Sequence, residues 1–251
     1  MPKIRADQLT VELGLADNRT KAQALIIAGS VFWGERRIEK PGQLLADDAP
    51  LEIRGQALPY VSRGGLKLAH GLDHLELDPT DMTAIDVGAS TGGFTDVLLQ
   101  RGAAHVYAVD VGHGQLDWRL RNDPRVTVME KTNARYLTAE QVDRPVDLVV
   151  CDASFISLRL VLPASLGLVK PDGWLIALIK PQFEVGKGEV GKGGVVRDEA
   201  LHERVCDEIR SWLSEIQGWS VVDITPSPIL GPKGNREFLI GARCFSARTP
   251  T

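Results

Sequence analysis

The chain has 251 residues, 43% hydrophobic and 25% charged, with a formal net charge of −4 at pH 7. These proportions exclude a disordered chain and a membrane-embedded one, and the acidic balance means that any nucleic-acid contact must come from a local patch. Three separated cysteines, Cys151, Cys206 and Cys244, lack C-x-x-C or histidine spacing, which excludes a disulfide framework and a zinc site.

Residues 1–57 differ in pattern from the rest of the chain. Helical spacing runs from Ile4 to Leu13 and from Thr20 to Ala28, with Asn18 as the expected cap of the second helix and Gly29 as its end. Short strands and tight turns come next, through Ser30-Val31-Phe32-Trp33-Gly34, Arg36-Arg37-Ile38 and Leu51-Glu52-Ile53. On the Asn18-Arg19-Thr20-Lys21-Ala22 helix start, the Ile26-Ile27-Ala28-Gly29-Ser30-Val31 junction and Lys40-Pro41-Gly42 before an acidic turn, this segment resembles the S4 RNA-binding domain. Acids and bases balance here, so RNA binding would require Arg5, Arg19, Lys21, Arg36 and Arg37 to gather on one face. Residues 58–62 form the expected linker, in which Pro59 holds its neighbour extended.

Residues 63–246 alternate strand and helix. Strands are predicted at Ala84–Val87, Val106–Asp110, Val126–Met129, Leu148–Cys151, Trp174–Ile179, Trp219–Ile224 and Phe238–Ala242, with a helix starting near Gly65 and the clearest later helices at Ser157–Val169 and Asp198–Ile216. Such alternation gives an α/β fold, a mostly parallel sheet with its ligand at the carboxyl ends of the strands. The central signal is Ile85-Asp86-Val87-Gly88-Ala89-Ser90-Thr91-Gly92-Gly93-Phe94-Thr95, an apolar strand running through a glycine-rich turn into a helix. Its D-x-G-x-x-x-G-G spacing differs from the dinucleotide fingerprint, and Asp86 would repel a pyrophosphate. An ammonium-bearing, phosphate-free cofactor suits it better, which points to S-adenosylmethionine held by Asp86, Gly88, Ser90, Gly92, Gly93 and Phe94. Asp110, closing the next strand, is the expected ribose ligand, with Val111 beside it; Lys131 and Asn133, after the third strand, are placed to reach an adenine edge.

Four charged residues border apolar runs where this topology forms one rim: Lys67, Asp152, Lys180 and Glu237. A charge at the end of a buried strand is costly unless paired, and convergence would satisfy both signs. The chemistry read from them makes Lys180 the base toward a weakly acidic hydroxyl and Asp152 its orienting partner near the transferred methyl; Lys67 and Glu237 position substrate and tune charge. These residues resemble the K-D-K-E tetrad of the FtsJ-like 2′-O-ribose methyltransferases. Together with the S4-like segment, Ser62-Arg63-Gly64-Gly65-Leu66-Lys67-Leu68 and Lys180-Pro181-Gln182-Phe183-Glu184, they make nearly the whole chain similar to the TlyA family, known both as hemolysin A and as ribosomal RNA (cytidine-2′-O)-methyltransferase. The resemblance implies a Rossmann-like S-adenosylmethionine-dependent methyltransferase fold behind a small α+β S4 domain, acting on ribosomal RNA or ribosomal subunits without a metal.

Other signals are weaker. Gly186-Lys187-Gly188-Glu189-Val190-Gly191-Lys192 begins a phosphate-binding loop but fails it at Gly193, where the metal-binding hydroxyl should stand. Residues 184–197 are instead expected to form either a merely mobile loop or a flexible lid whose Lys187, Lys192 and Arg197, like Arg63, meet RNA phosphates. Phe155 fits packing on a base or in the core, the core being the commoner site. None of the five histidines has ligand spacing. No charged-then-apolar leader and no run near the roughly 18 apolar residues of a membrane span is found, so a cytoplasmic location without membrane contact is expected. The competing readings are a membrane-active hemolysin and a ribosome-binding module without activity.

Overall fold

The computed structural model describes residues 3–54, 58–186 and 188–245. Contacts divide the chain into two compact units, Met1–Arg63 and Gly64–Thr251, each with its own core.

In the first unit β1 (Lys3–Arg5) leads into α1 (Ala6–Glu12) and α2 (Arg19–Ala28), followed by β2 (Val31–Trp33), β3 (Arg36–Arg37), β4 (Leu44–Ala46) and β5 (Leu51–Ile53). The helix expected from Ile4 begins two residues later. Ile4 and Arg5 instead pair antiparallel with Leu45 and Leu44 of β4, which satisfies backbone groups that a helix start would leave open. Asn18 caps α2 by accepting from the Lys21 amide, and Gly29 closes it in the left-handed conformation. Ala6, Leu9, Ile26, Val31, Ile38, Leu45, Ala49 and Leu51 meet as the core beneath the two helices and short strands.

The second unit opens with α3 (Gly64–His74) and continues through β6 (Thr83–Val87), α4 (Gly93–Gln100), β7 (His105–Val109), α5 (Trp118–Arg121), β8 (Val126–Met129) and β9 (Val146–Cys151). Then come α6 (Leu158–Val161), α7 (Pro163–Leu166), β10 (Val169–Ile179), α8 (Pro181–Glu184), α9 (Glu199–Glu215), β11 (Trp219–Pro226) and β12 (Phe238–Cys244). One seven-stranded sheet runs β11-β12-β10-β9-β6-β7-β8, parallel from β10 to β8, with β12 antiparallel to both of its neighbours. This is the α/β, mostly parallel sheet expected from the alternation. Its central strands are buried on both faces, which explains why they read as unbroken apolar runs. The helix expected over Ser157–Val169 divides into α6 and α7 because Pro163 has no amide to donate to Arg159, and Val169 already belongs to β10. Among the described residues no helix is long and apolar enough to cross a membrane.

From β6 the chain builds outward to β7 and β8, then crosses to β9 on the other side. The order therefore reverses between β6 and β9, and the crevice at their carboxyl ends is where a doubly wound sheet takes its ligand. Because β12 is antiparallel, its first residues arrive at that same rim.

Candidate active site

Asp86 lies in β6 and is fully buried. Its Oδ2 accepts from the amide and hydroxyl of Thr95 at 3.0 and 2.7 Å, tying the first turn of α4 to the strand. Its Oδ1 is buried with no hydrogen-bond partner. Burial pushes the carboxyl up to about 7; the Thr95 bonds oppose the rise, and nearby Asp152 and Asp110 add to it. An orphaned carboxylate oxygen at the switch point is a place for a cationic donor.

The glycines divide their roles. Gly88 has φ of 82°, and a Cβ there would stand 2.9 Å from the Ala153 Cα, so the loops after β6 and β9 touch through backbone alone. Gly92, expected at the cofactor, has φ of 98°, and a Cβ there would meet Leu120 Cδ1 at 2.3 Å, so its lack of a side chain admits Leu120. Gly93 and Phe94, both expected at the cofactor, are buried in the first turn of α4.

Asp110 follows β7 and accepts from the amides of Ser90 at 2.8 Å and Gly112 at 2.6 Å, bracing two loops of the rim. Val111 beside it is 71% exposed. Lys131 is exposed and has a positive φ; its amide donates to the Gly112 carbonyl. Asn133, expected at an adenine edge, spends its side-chain oxygen on the Arg135 amide as a helix cap.

The four charged residues converge. Lys67, on α3, donates to Glu237 Oε2 at 2.6 Å and lies 3.9 Å from Asp152 Oδ2. Lys180, at the end of β10, lies 2.5 Å from Asp152 Oδ1 in an ion contact without hydrogen-bond alignment; its aligned donations go to the Asp152 carbonyl at 3.0 Å and Ser154 Oγ at 2.9 Å. Lys67, Lys180 and Glu237 are buried, whereas the Asp152 side chain keeps 21% exposure. Two cations and two anions therefore share a desolvated cluster that opens to solvent at Asp152.

Three residues around this cluster were not singled out from the sequence. Ser154 receives the Lys180 ammonium. Gly231 lies so close to Glu237 that a Cβ would come 2.1 Å from Oε1. Asn235, 3% exposed, holds the backbone of residues 194–196. Ser154 is the one with a sequence signal, two residues beyond Asp152; the other two act through turns. Phe155, for which the core was the commoner expectation, is 90% exposed with φ of 64°, and its ring meets Phe183 at 5.0 Å.

The basic residues fall into separate settings. Arg5 and Arg19 both donate to the fully buried Asp7, at 2.9 and 3.0 Å, and Arg5 foremost holds that carboxyl well below the usual carboxylate range. Lys21 pairs with Asp17, and Arg36 and Arg37 are exposed on β3, Arg37 reaching over Gly29. Arg63 closes the first unit. Lys187 lies outside the described residues. Lys192 is exposed in a turn closed by the Gly191–Val195 bridge; no helix starts at this loop, and α9 begins later behind an acidic cap, Asp198.

The FtsJ-like methyltransferase family profile matches residues 60–244. Over 247 residues the chain is 47% identical to the 16S/23S rRNA (cytidine-2′-O)-methyltransferase TlyA of Mycobacterium tuberculosis, covering 98% of this chain and 92% of that protein. It is 38% identical over 237 residues to Hemolysin A of Brachyspira hyodysenteriae, covering 94% and 98%. A solved structure of a protein bearing the hemolysin name, from Streptococcus thermophilus, aligns with a TM-score of 0.77 at 43% identity, covering 100% of this chain and 93% of that one.

Proposed function

Because the chain belongs to the FtsJ-like methyltransferase family, and within it to the TlyA family, we propose that it transfers a methyl group from S-adenosylmethionine to the 2′-oxygen of a cytidine in ribosomal RNA. The observation that carries this reading is the joining of Lys67, Asp152, Lys180 and Glu237 at the carboxyl rim, where the Gly88 turn after β6 meets the backbone of Asp152 and Ala153.

S-adenosylmethionine, when bound, supplies a methyl already activated on a sulfonium. The residues present fit it: the free Asp86 Oδ1 suits its ammonium, and Asp110 with exposed Val111 suits its ribose. Asp152 and Ser154 fix the Lys180 Nζ in place, where it serves as the group that accepts the proton of the ribose hydroxyl. Lys67, held by Glu237, balances the charge that develops on the oxygen. Phe155, held outward by its left-handed backbone, offers a stacking face to the target base. In the first unit Asp7 holds Arg5 and Arg19 as one fork for RNA phosphates, and Arg36, Arg37, Lys21, Arg63, Lys187 and Lys192 supply further basic contacts. Residues 1–57 act as the RNA-docking domain and residues 63–246 as the catalytic one.

The test is transfer of labelled methyl from S-adenosylmethionine to ribosomal RNA and to intact subunits, by wild type and Lys180→Ala, followed by alkaline digestion. Label in alkali-resistant dinucleotides, absent with the variant, is the expected result. Label in alkali-sensitive nucleotides places the methyl on a base and ends the role given to Lys180. The hemolysin name borne by relatives calls for a leakage assay on liposomes with the same preparation; leakage without methyl transfer would favour that reading.

A further inference from the structure

We infer that Asn235 is a positioning residue for methyl transfer, acting through Glu237; this rests on the function proposed above.

The side-chain amide of Asn235 has one acceptor and two donor hydrogens, and its hydrogen bonds use both kinds. Its Oδ1 accepts from the Val196 amide at 3.1 Å, while Nδ2 donates to the Gly194 carbonyl at 3.0 Å and the Pro232 carbonyl at 3.2 Å. His202 of α9 completes the arrangement, its Nε2 meeting the Val196 carbonyl at 3.0 Å. Both backbone groups of Val196 are thereby clamped by side chains, in a segment where Val195 and Val196 are buried. Buried backbone needs such partners, and residues 194–196 lie outside the seven-stranded sheet.

The second contact of the amide matters for chemistry. Asn235 stitches a turn over residues 231–235, in which the Gly231 amide donates to the Asn235 carbonyl at 2.9 Å and Lys233 sits at φ of 60°. Gly231 in that turn is the wall against which the Glu237 carboxylate rests, with no room for a Cβ between them. Glu237 then sets the Lys67 ammonium at 2.6 Å. The chain of contacts runs from Asn235 through the turn to Gly231, Glu237 and Lys67. Without the amide the wall is free to move, and the carboxylate loses the surface that fixes its rotamer.

Aspartate is nearly isosteric but has no hydrogens for Gly194 and Pro232; glutamine is one methylene longer. Only asparagine meets the three partners from this backbone position.

The experiment measures steady-state methyl transfer to ribosomal RNA by the full chain as wild type, Asn235→Ala, Glu237→Gln and the double variant, with thermal unfolding alongside. The expected result is a kcat about tenfold lower for Asn235→Ala, an RNA KM within about threefold of wild type, and a double variant no slower than Glu237→Gln alone. Wild-type kcat in Asn235→Ala, a change confined to KM, or losses that multiply in the double variant would overturn the inference. Should Asn235→Ala not fold, Asn235→Asp is measured in the same cycle; failure of both to fold makes the residue purely structural and also overturns it. Wild type that methylates no RNA defeats the proposed function and this inference with it, whereas active wild type with an unaffected Asn235→Ala defeats this inference alone.

Discussion

Glu237 is 2% exposed and has one oxygen without a hydrogen-bond partner, an arrangement that lasts only because Lys67 supplies the opposite charge at contact distance. Gly231 confines that carboxylate, so Gly231→Ala is expected to displace it and lower kcat by about tenfold or more while circular dichroism stays native. Unchanged turnover would show that Glu237 has other room. Phe155 sits at the opposite extreme, a large apolar ring in water. Phe155→Ala should cost about 1–3 kcal/mol of base stacking, read as a loss in kcat/KM for RNA, with Phe155→Trp restoring most of it and S-adenosylhomocysteine binding unchanged. Equal activity of the alanine and tryptophan variants would remove the stacking role. The convergence of Lys67, Asp152, Lys180 and Glu237 was legible because a charge at the edge of an apolar strand is conspicuous. The Phe155 exposure was not, since it follows from a left-handed backbone that a linear pattern does not encode.

At the level of elements, caps and strand ends were legible and interruptions were not. Asn18 caps α2 as its spacing implies; replacement by alanine should destabilise the first unit by about 1 kcal/mol, checked by denaturant unfolding of the full chain followed at Trp33. A shift well below half of that would mean that tertiary packing, not the cap, sets the helix start. Each of the seven strands of the large sheet overlaps the apolar run that predicts it, and the central ones were plainest because burial on both faces leaves no alternation to misread. The Ser157–Val169 segment failed for the opposite reason: helical composition continues through Pro163, and only the missing amide divides it. Gly231 and Asn235 lay beyond reach because their partners are set by how two turns meet, not by any repeat.

Across the whole molecule, the buried carboxylates of the two units respond to pH with opposite sign. Asp7 is held below its ordinary range, chiefly by Arg5, so its contribution is complete above about pH 4 and is lost as the pH falls below that. Asp86 is raised to about 7 from 3.8, so between those values the folded chain holds a proton that the unfolded chain has released, and stability falls as the pH rises. The melting temperature of the second unit should therefore drop from pH 5 to pH 8, and Asp86→Asn should shrink that drop in scanning calorimetry; equal drops would show that Asp86 is not its source. The position of β12 has a consequence of another kind. It is the last described strand to be synthesised, yet it lies inside the sheet between β10 and β11, with Glu237 just ahead of it. In a chain that folds as it is made, the first unit can close on its local contacts while the sheet still waits with an open edge. A nascent copy thus closes its first unit before Glu237 can join Lys67, Asp152 and Lys180 at the rim.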